Sequence, residues 1–252
     1  FLPMMLNYIL IVRYQNRQKG LVFFLYLNEK DMRIPLFSTE NIRFFLILLE
    51  FFVALFGTFF FRKYSKSPLK ILLFILWYTF LNDILGLIIQ YTFKTSNNFV
   101  IYNFYQIVRF SALLWIYSHY VRNINNYKIV SFFKYFYIFS FILNFYFEDF
   151  CKSYFLNTFI IGASLITITI IIYLFEILRS DKILFITKSL LFWVSFAHLI
   201  YFVPNVPFYI VRKYYSNSNT IPFIFIINYF LLLSYNCILI SGFIWSKAES
   251  KE

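Results

Sequence analysis

Arg109 stands midway along an apolar run, Phe99 to Val121, where a membrane helix is ordinarily neutral. The run before it, Leu69 to Phe93, has Asp83 near its own middle, and Glu50 and His198 fall near the middles of two others. Charges at that depth are expensive, so they face protein or water and take partners. Residues three and four apart share a helix face. That spacing gathers polar stripes: Thr79, Asp83, Gly86 and Gln90; Tyr102, Gln106 and Arg109; Ser195, His198, Tyr201 and Asn205; Asn228, Tyr235 and Asn236; and Glu50 with the small Ala54 and Gly57. The expected binding or coupling cluster at mid-membrane is therefore Glu50, Asp83, Gln106, Arg109, His198 and Asn228.

These residue types permit a short menu of chemistry. Asp83 and Arg109 lie on consecutive runs at similar depth, so a salt bridge between them is the simplest expectation. Such a bridge serves helix packing as readily as function. As function, Arg109 is an anion anchor, or Glu50 and Asp83 form a proton relay. His198 reads first as a hydrogen-bonded core residue and second as a base acting with a carboxylate on a lipid. His119, with Tyr120 and Arg122 near a helix end, fits an interface position. Glu176 and Arg179 read as an i,i+3 surface pair.

Other chemistries lack their residues. The last apolar run, Ile221–Trp245, has no lysine for a retinal Schiff base. Two histidines on different runs do not make the clustered ligands of a zinc hydrolase. The chain contains no HExxH, GxSxG, P-loop or GxGxxG pattern. Cys151 and Cys237 are too few to hold a metal, and no metal or other cofactor is expected.

The elements that would position this cluster follow from composition. The chain is 61% hydrophobic and only 13% charged, against about half and about a quarter in soluble domains. Mean hydropathy is +0.70. The excess is spread over the whole length, which describes an all-α polytopic membrane protein and leaves no room for a separate soluble catalytic domain. Seven apolar runs are long enough to cross at about 20 residues each: Ile42–Phe61, Leu69–Phe93, Phe99–Val121, Val130–Phe150, Phe155–Leu178, Ser189–Val211 and Ile221–Trp245. Their short connections favour sequential antiparallel neighbours in a seven-helix transmembrane bundle. Only the sixth run is interrupted by proline, at Pro204 and Pro207, with no counterpart elsewhere, which counts against an inverted-repeat transporter.

Residues 1–31 read as an uncertain extension ahead of a domain spanning residues 32–252. Their apolar pieces are too short to span, and Met32 opens a more natural beginning. A surface-lying amphipathic segment is the competing reading. The formal charge of +12 is concentrated between the runs, so it describes topology rather than nucleic-acid binding. Arg62, Lys63, Lys66, Arg122, Lys128, Arg179, Lys182 and Lys188 fall in alternate loops, and Lys247 and Lys251 in the tail. Those segments are expected to be cytoplasmic and the amino end outside, although Lys30, Arg33 and Arg43 before the first span oppose this. The 38 Phe and 22 Tyr accompany abundant Ile, Asn and Lys, the pattern of AT-rich codons. They read as lipid contact and interface belt before they read as a ligand box.

The segments Tyr102-Asn-Phe-Tyr-Gln-Ile-Val-Arg-Phe and Lys188-Ser-Leu-Leu-Phe-Trp-Val-Ser-Phe-Ala-His-Leu-Ile-Tyr-Phe resemble a group of small seven-helix inner-membrane proteins of AT-rich Gram-negative bacteria. The likeness covers most of the chain from Met32 on and carries no established activity. Some members of that group look like the membrane half of sensory systems, encoded apart from their kinases. The resemblance implies a bacterial inner-membrane location and a separate cytoplasmic signalling partner. The leading expectation is a non-enzymatic sensory or accessory protein with a small or lipidic ligand. A proton-coupled transporter, a lipid-modifying enzyme and a structural subunit are the alternatives.

Overall fold

A computed structural model describes residues 39–93, 98–214 and 221–247. The extension at residues 1–31, the beginning at Met32 and the tail beyond Lys247 lie outside the described residues. Every regular element among the described residues is helical. The α-helices are α1 (Thr39–Phe59), α2 (Lys70–Phe93), α3 (Phe99–Tyr120), α4 (Ile124–Asn144), α5 (Leu156–Leu178), α6 (Leu190–Tyr214) and α7 (Ile221–Trp245). Short 3₁₀ segments occupy Phe61–Lys63 and Asp181–Lys188.

Continuous apolar runs become helices because lipid offers the backbone no hydrogen bonds, so each segment must satisfy its own. Six helices, α1, α2, α3, α5, α6 and α7, are long and apolar enough to cross a membrane. Their outward positions carry large bare side chains such as Phe44, Phe59, Phe74, Phe104 and Phe230, a surface that water does not tolerate in a monomer. The protein is a multi-pass helical membrane protein.

The fourth helix departs from the expected run. It starts at Ile124 rather than Val130 and ends at Asn144 rather than Phe150. The Asn123 side chain accepts the Asn125 N–H at 2.9 Å, an N-cap that opens the helix in polar sequence. Hydropathy is blind to a polar first turn. With Asn125, Asn126, Lys128 and Lys134 inside it, α4 is less apolar than the six spans. The sixth helix also differs from expectation, running unbroken through Pro204 and Pro207. Packed neighbours allow proline inside a membrane helix, and the Asn205 amide adds a bond to the Tyr201 carbonyl at 2.6 Å.

Packing follows chain order: α1 on α2, α2 on α3, α5 on α6, α6 on α7, and α7 back on α1. Helix α3 packs on α5 as well as on α4, and α4 on α5. Six helices therefore close a ring, and α4 fills the outer groove between α3 and α5. Its buried face is narrow, Val130, Tyr137, Phe141 and Asn144, while Ile124, Phe132, Tyr135, Phe139 and Ile142 point outward.

Gly162 makes that groove possible. A Cβ there would lie 2.7 Å from the Phe110 ring and 2.8 Å from Tyr137. Phe110 in turn packs on Tyr137, Phe159 and Phe202 at ring separations of 5.4, 5.7 and 5.6 Å, so one residue of α3 joins α4, α5 and α6. The ends are tied by polar groups. Asn103 is fully buried, donates to the Phe150 and Ser153 carbonyls and accepts from the Phe155 N–H, which fixes the α4–α5 connection. At the opposite end Lys63 donates to the Phe243 and Ser246 carbonyls, placing a cation on the carboxyl end of α7. Glu176 does not serve as a surface pair for Arg179. Its oxygens accept the Arg122 N–H at 2.9 Å and the Asn126 amide at 2.6 Å, because α4 begins against the last turn of α5.

Candidate functional site

The ring encloses a small cavity at mid-height, lined by Glu50 and Val53 of α1, Leu76 and Thr79 of α2, Tyr105 and Arg109 of α3, Tyr201 of α6, and Leu232, Tyr235 and Asn236 of α7. Its volume is about 30 Å³, room for one or two waters. Arg109 is ten residues into α3, about 15 Å along the axis, so the cavity lies near the centre of a bilayer core about 30 Å thick.

Arg109 does not pair with Asp83, contrary to the sequence expectation. Its guanidinium lies over four rings, 5.7 Å from Tyr105, 5.7 Å from Tyr201, 5.3 Å from Phe202 and 6.0 Å from Tyr235. The Tyr235 hydroxyl is also in electrostatic reach of the guanidinium. Aromatic faces offer a desolvated cation about 2 kcal/mol each at best, and three of the four rings come from α6 and α7, across the ring from α3. A side chain that reaches inward meets those faces before it meets the neighbouring helix α2. The carboxyl group on the wall of the same cavity is Glu50, which is in electrostatic reach of Arg109.

The Asp83 and Glu50 carboxyl groups are in electrostatic reach of one another, both within the bundle. Tyr102 of α3 is in electrostatic reach of Asp83 and lies over Gly86, where a Cβ would sit 2.5 Å from the Tyr102 hydroxyl. The glycine in the Asp83 stripe is thus a seat for a tyrosine.

His198 is a core residue. Its Nδ1–H donates to the Val194 carbonyl at 2.7 Å, which leaves Nε2 as the acceptor for the Tyr235 hydroxyl at 3.4 Å. Tyr235 therefore donates to His198, and the histidine helps orient a ring that lies under the Arg109 guanidinium. Ser195, one turn earlier, donates to the Leu191 carbonyl and accepts from Tyr117. Tyr105 donates to Thr79, whose hydrogen is committed to the Ile75 carbonyl.

Of the six residues expected in the cluster, Glu50 and Arg109 line the cavity, Asp83 is buried within electrostatic reach of Glu50, and His198 supports the cavity wall through Tyr235. Gln106 and Asn228 are buried on inner faces without lining it, and their amides have no hydrogen-bond partner. Sequence reasoning missed Arg43, which is buried in α1 and donates to Gln90. Its seven-residue spacing from Glu50 was the available signal. It also missed Asn82, buried beside Asp83 with its amide unpartnered, because one-residue spacing falls off the expected stripe.

No family model, curated protein or solved structure matches the chain. The functional reading rests on this geometry. Among the described residues, no group of His, Cys, Asp and Glu could hold a metal ion.

Proposed function

We propose that the chain is a non-enzymatic sensory or accessory component of a bacterial inner membrane. In this reading it binds a small ligand at the ring's centre and reports to a separate cytoplasmic protein. The observation that carries it is the central cavity, walled by five helices and holding a guanidinium with no carboxylate in ion-pair contact among the described residues. A charge kept at that depth is a recognition element by default. The report would travel along α7, which lines the cavity with Tyr235 and Asn236 and ends where Lys63 holds its last carbonyls.

In this proposal α4 is the seventh span, since it packs between α3 and α5 and continues their alternation. Arg62, Lys63, Lys66, Arg122, Arg179 and Lys188 then share one end of the bundle, which the positive-inside rule puts in the cytoplasm, with the amino end outside. Arg43 does not oppose this orientation, because it is a buried helix residue rather than a loop charge.

The test is affinity capture of a carboxyl-tagged chain from native membranes in mild detergent. A regulator should co-purify and be lost when residues 248–252 are removed or Arg62, Lys63 and Lys66 are neutralised together. Recovery of the chain alone, with nothing lost on those changes, counts against a signalling role. Two buried acids on neighbouring helices, Glu50 of α1 and Asp83 of α2, favour a second reading, a proton-coupled transporter. That reading expects substrate-dependent proton flux in proteoliposomes, abolished by Glu50→Gln.

A further inference from the structure

Buried polar groups are unevenly placed along the axis of the ring. Lys63 bonds the last carbonyls of α7, and Glu176 of α5 holds the Arg122 N–H that follows α3. Those contacts gather the basic loops at one end. At the opposite end Arg43, near the start of α1, bonds Gln90, near the end of α2, and Asn103, near the start of α3, bonds the α4–α5 connection. The Arg109 cavity lies between the two ends.

From the cavity to the basic end the ring is filled by apolar side chains, with Leu72, Leu113, Leu114 and Leu239 buried there. Its polar groups are matched: Tyr117 and Ser195 bond each other, and Thr169 bonds a carbonyl of its own helix. The other half differs. Asn82 of α2, Gln106 of α3 and Asn228 of α7 are only 1%, 2% and 1% exposed. Neither the oxygen nor the nitrogen of these amides has a hydrogen-bond partner among the described residues. Each stands about one turn from a residue that lines the cavity, on the side away from the basic loops. Asn82 follows Thr79 in α2, while Gln106 and Asn228 precede Arg109 and Leu232 in α3 and α7, which run the opposite way. A buried amide that bonds nothing is strongly unfavourable. Each offers an N–H donor and a carbonyl acceptor, which water or a polar solute satisfies and an acyl chain does not.

We propose that water enters the bundle from the end opposite the basic loops, past Asn82, Gln106 and Asn228, as far as the Arg109 cavity, and that a small water-soluble ligand with hydrogen-bonding groups arrives by this route. The apolar half closes the other end. This deepens the sensory reading above and rests on its claim that the cavity is the ligand site.

Tyr102 and Tyr117 are a matched pair of reporters. They stand on the same helix, three residues after its start and three before its end, and are 1% and 0% exposed. Burial alone protects both equally. The full chain in lipid nanodiscs, where both faces meet water, is exposed to hydroxyl radicals made from water by X-ray radiolysis, and the oxidised peptides are read by mass spectrometry. Tyr102, and Tyr105 and Tyr235 at the cavity, should be oxidised while Tyr117 is spared. Gln106→Leu combined with Asn228→Leu should abolish oxidation of Tyr105 and Tyr235, and leave that of Tyr146, exposed in the turn after α4, unchanged. If the double variant fails to fold, Tyr102 against Tyr117 in the unaltered chain decides. Protection of all these buried tyrosines, or oxidation of Tyr117 as fast as Tyr102, overturns the one-sided route. Oxidation of Tyr105 that survives in the folded double variant also overturns it. None of these results bears on capture of a regulator, and failure of that capture bears on the sensory reading alone.

Discussion

At the scale of single residues, the centre is organised by competition for one guanidinium. Arg109 meets aromatic faces and the Tyr235 hydroxyl rather than Asp83, because the inward direction from α3 leads to α6 and α7. Replacing Arg109 with Leu leaves Glu50 without its compensating charge, and unfolding in nanodiscs should show a loss of about 3 kcal/mol. A double-mutant cycle of Arg109→Leu with Glu50→Gln should show coupling of about 1–3 kcal/mol. The same cycle with Asp83→Asn should show less, and equal values would restore the salt bridge expected from the sequence. Tyr235→Phe removes a hydroxyl bonded to buried His198, a cost of about 1–3 kcal/mol. Outside the spans, the Lys152 ammonium at 3.0 Å and the Cys151 N–H hold the Asp149 carboxyl below its usual range. A depressed value means that this small stabilisation is present above the ordinary carboxylate range and is lost as pH falls through the lowered one. A carboxyl NMR titration of Asp149 should therefore have its midpoint below that of an ordinary aspartate, moving upward in Lys152→Ala. The polar residues themselves were readable from their depth in apolar runs. Their partners were not, since depth says nothing about direction.

At the scale of elements, the six spans were legible because lipid forces long apolar runs into helices, and their ends agree with the runs to within a few residues. The fourth was misplaced because its boundaries are set by the Asn123 cap and the turns after Asn144, not by hydropathy. Its place against α3 and α5 depends on Gly162. Gly162→Ala should force Phe110 or Tyr137 aside at about 1–3 kcal/mol, and Gly162→Leu should release α4 altogether, visible as faster proteolysis between residues 145 and 155. Normal stability in both variants would mean that α4 docks elsewhere. Sequence spacing had marked Gly57 and Gly86 as small residues, but Gly162 belonged to no polar stripe and gave no sign of its role.

At the scale of the whole molecule, the ring α1–α2–α3–α5–α6–α7 with α4 outside it sets where the two thiols lie. Cys151 is exposed in the α4–α5 connection, and Cys237 is exposed on the outer face of α7. If the basic end is cytoplasmic, a membrane-impermeant maleimide should modify Cys151 from outside intact spheroplasts. Cys237, seventeenth in α7 and facing lipid, should react only after solubilisation. Labelling of Cys151 solely in inverted vesicles would reverse the orientation. The sequence by itself determined that this is a helical membrane protein with a polar centre and a basic end, because burial in lipid penalises charge and unpaired backbone so heavily that few alternatives survive. Only the tertiary structure decided that α4 stands outside the ring, that Glu50 rather than Asp83 shares the cavity with Arg109, and that His198 is a support. Those outcomes depend on which faces meet across the bundle, and side-chain packing between distant segments leaves no periodic trace in the chain.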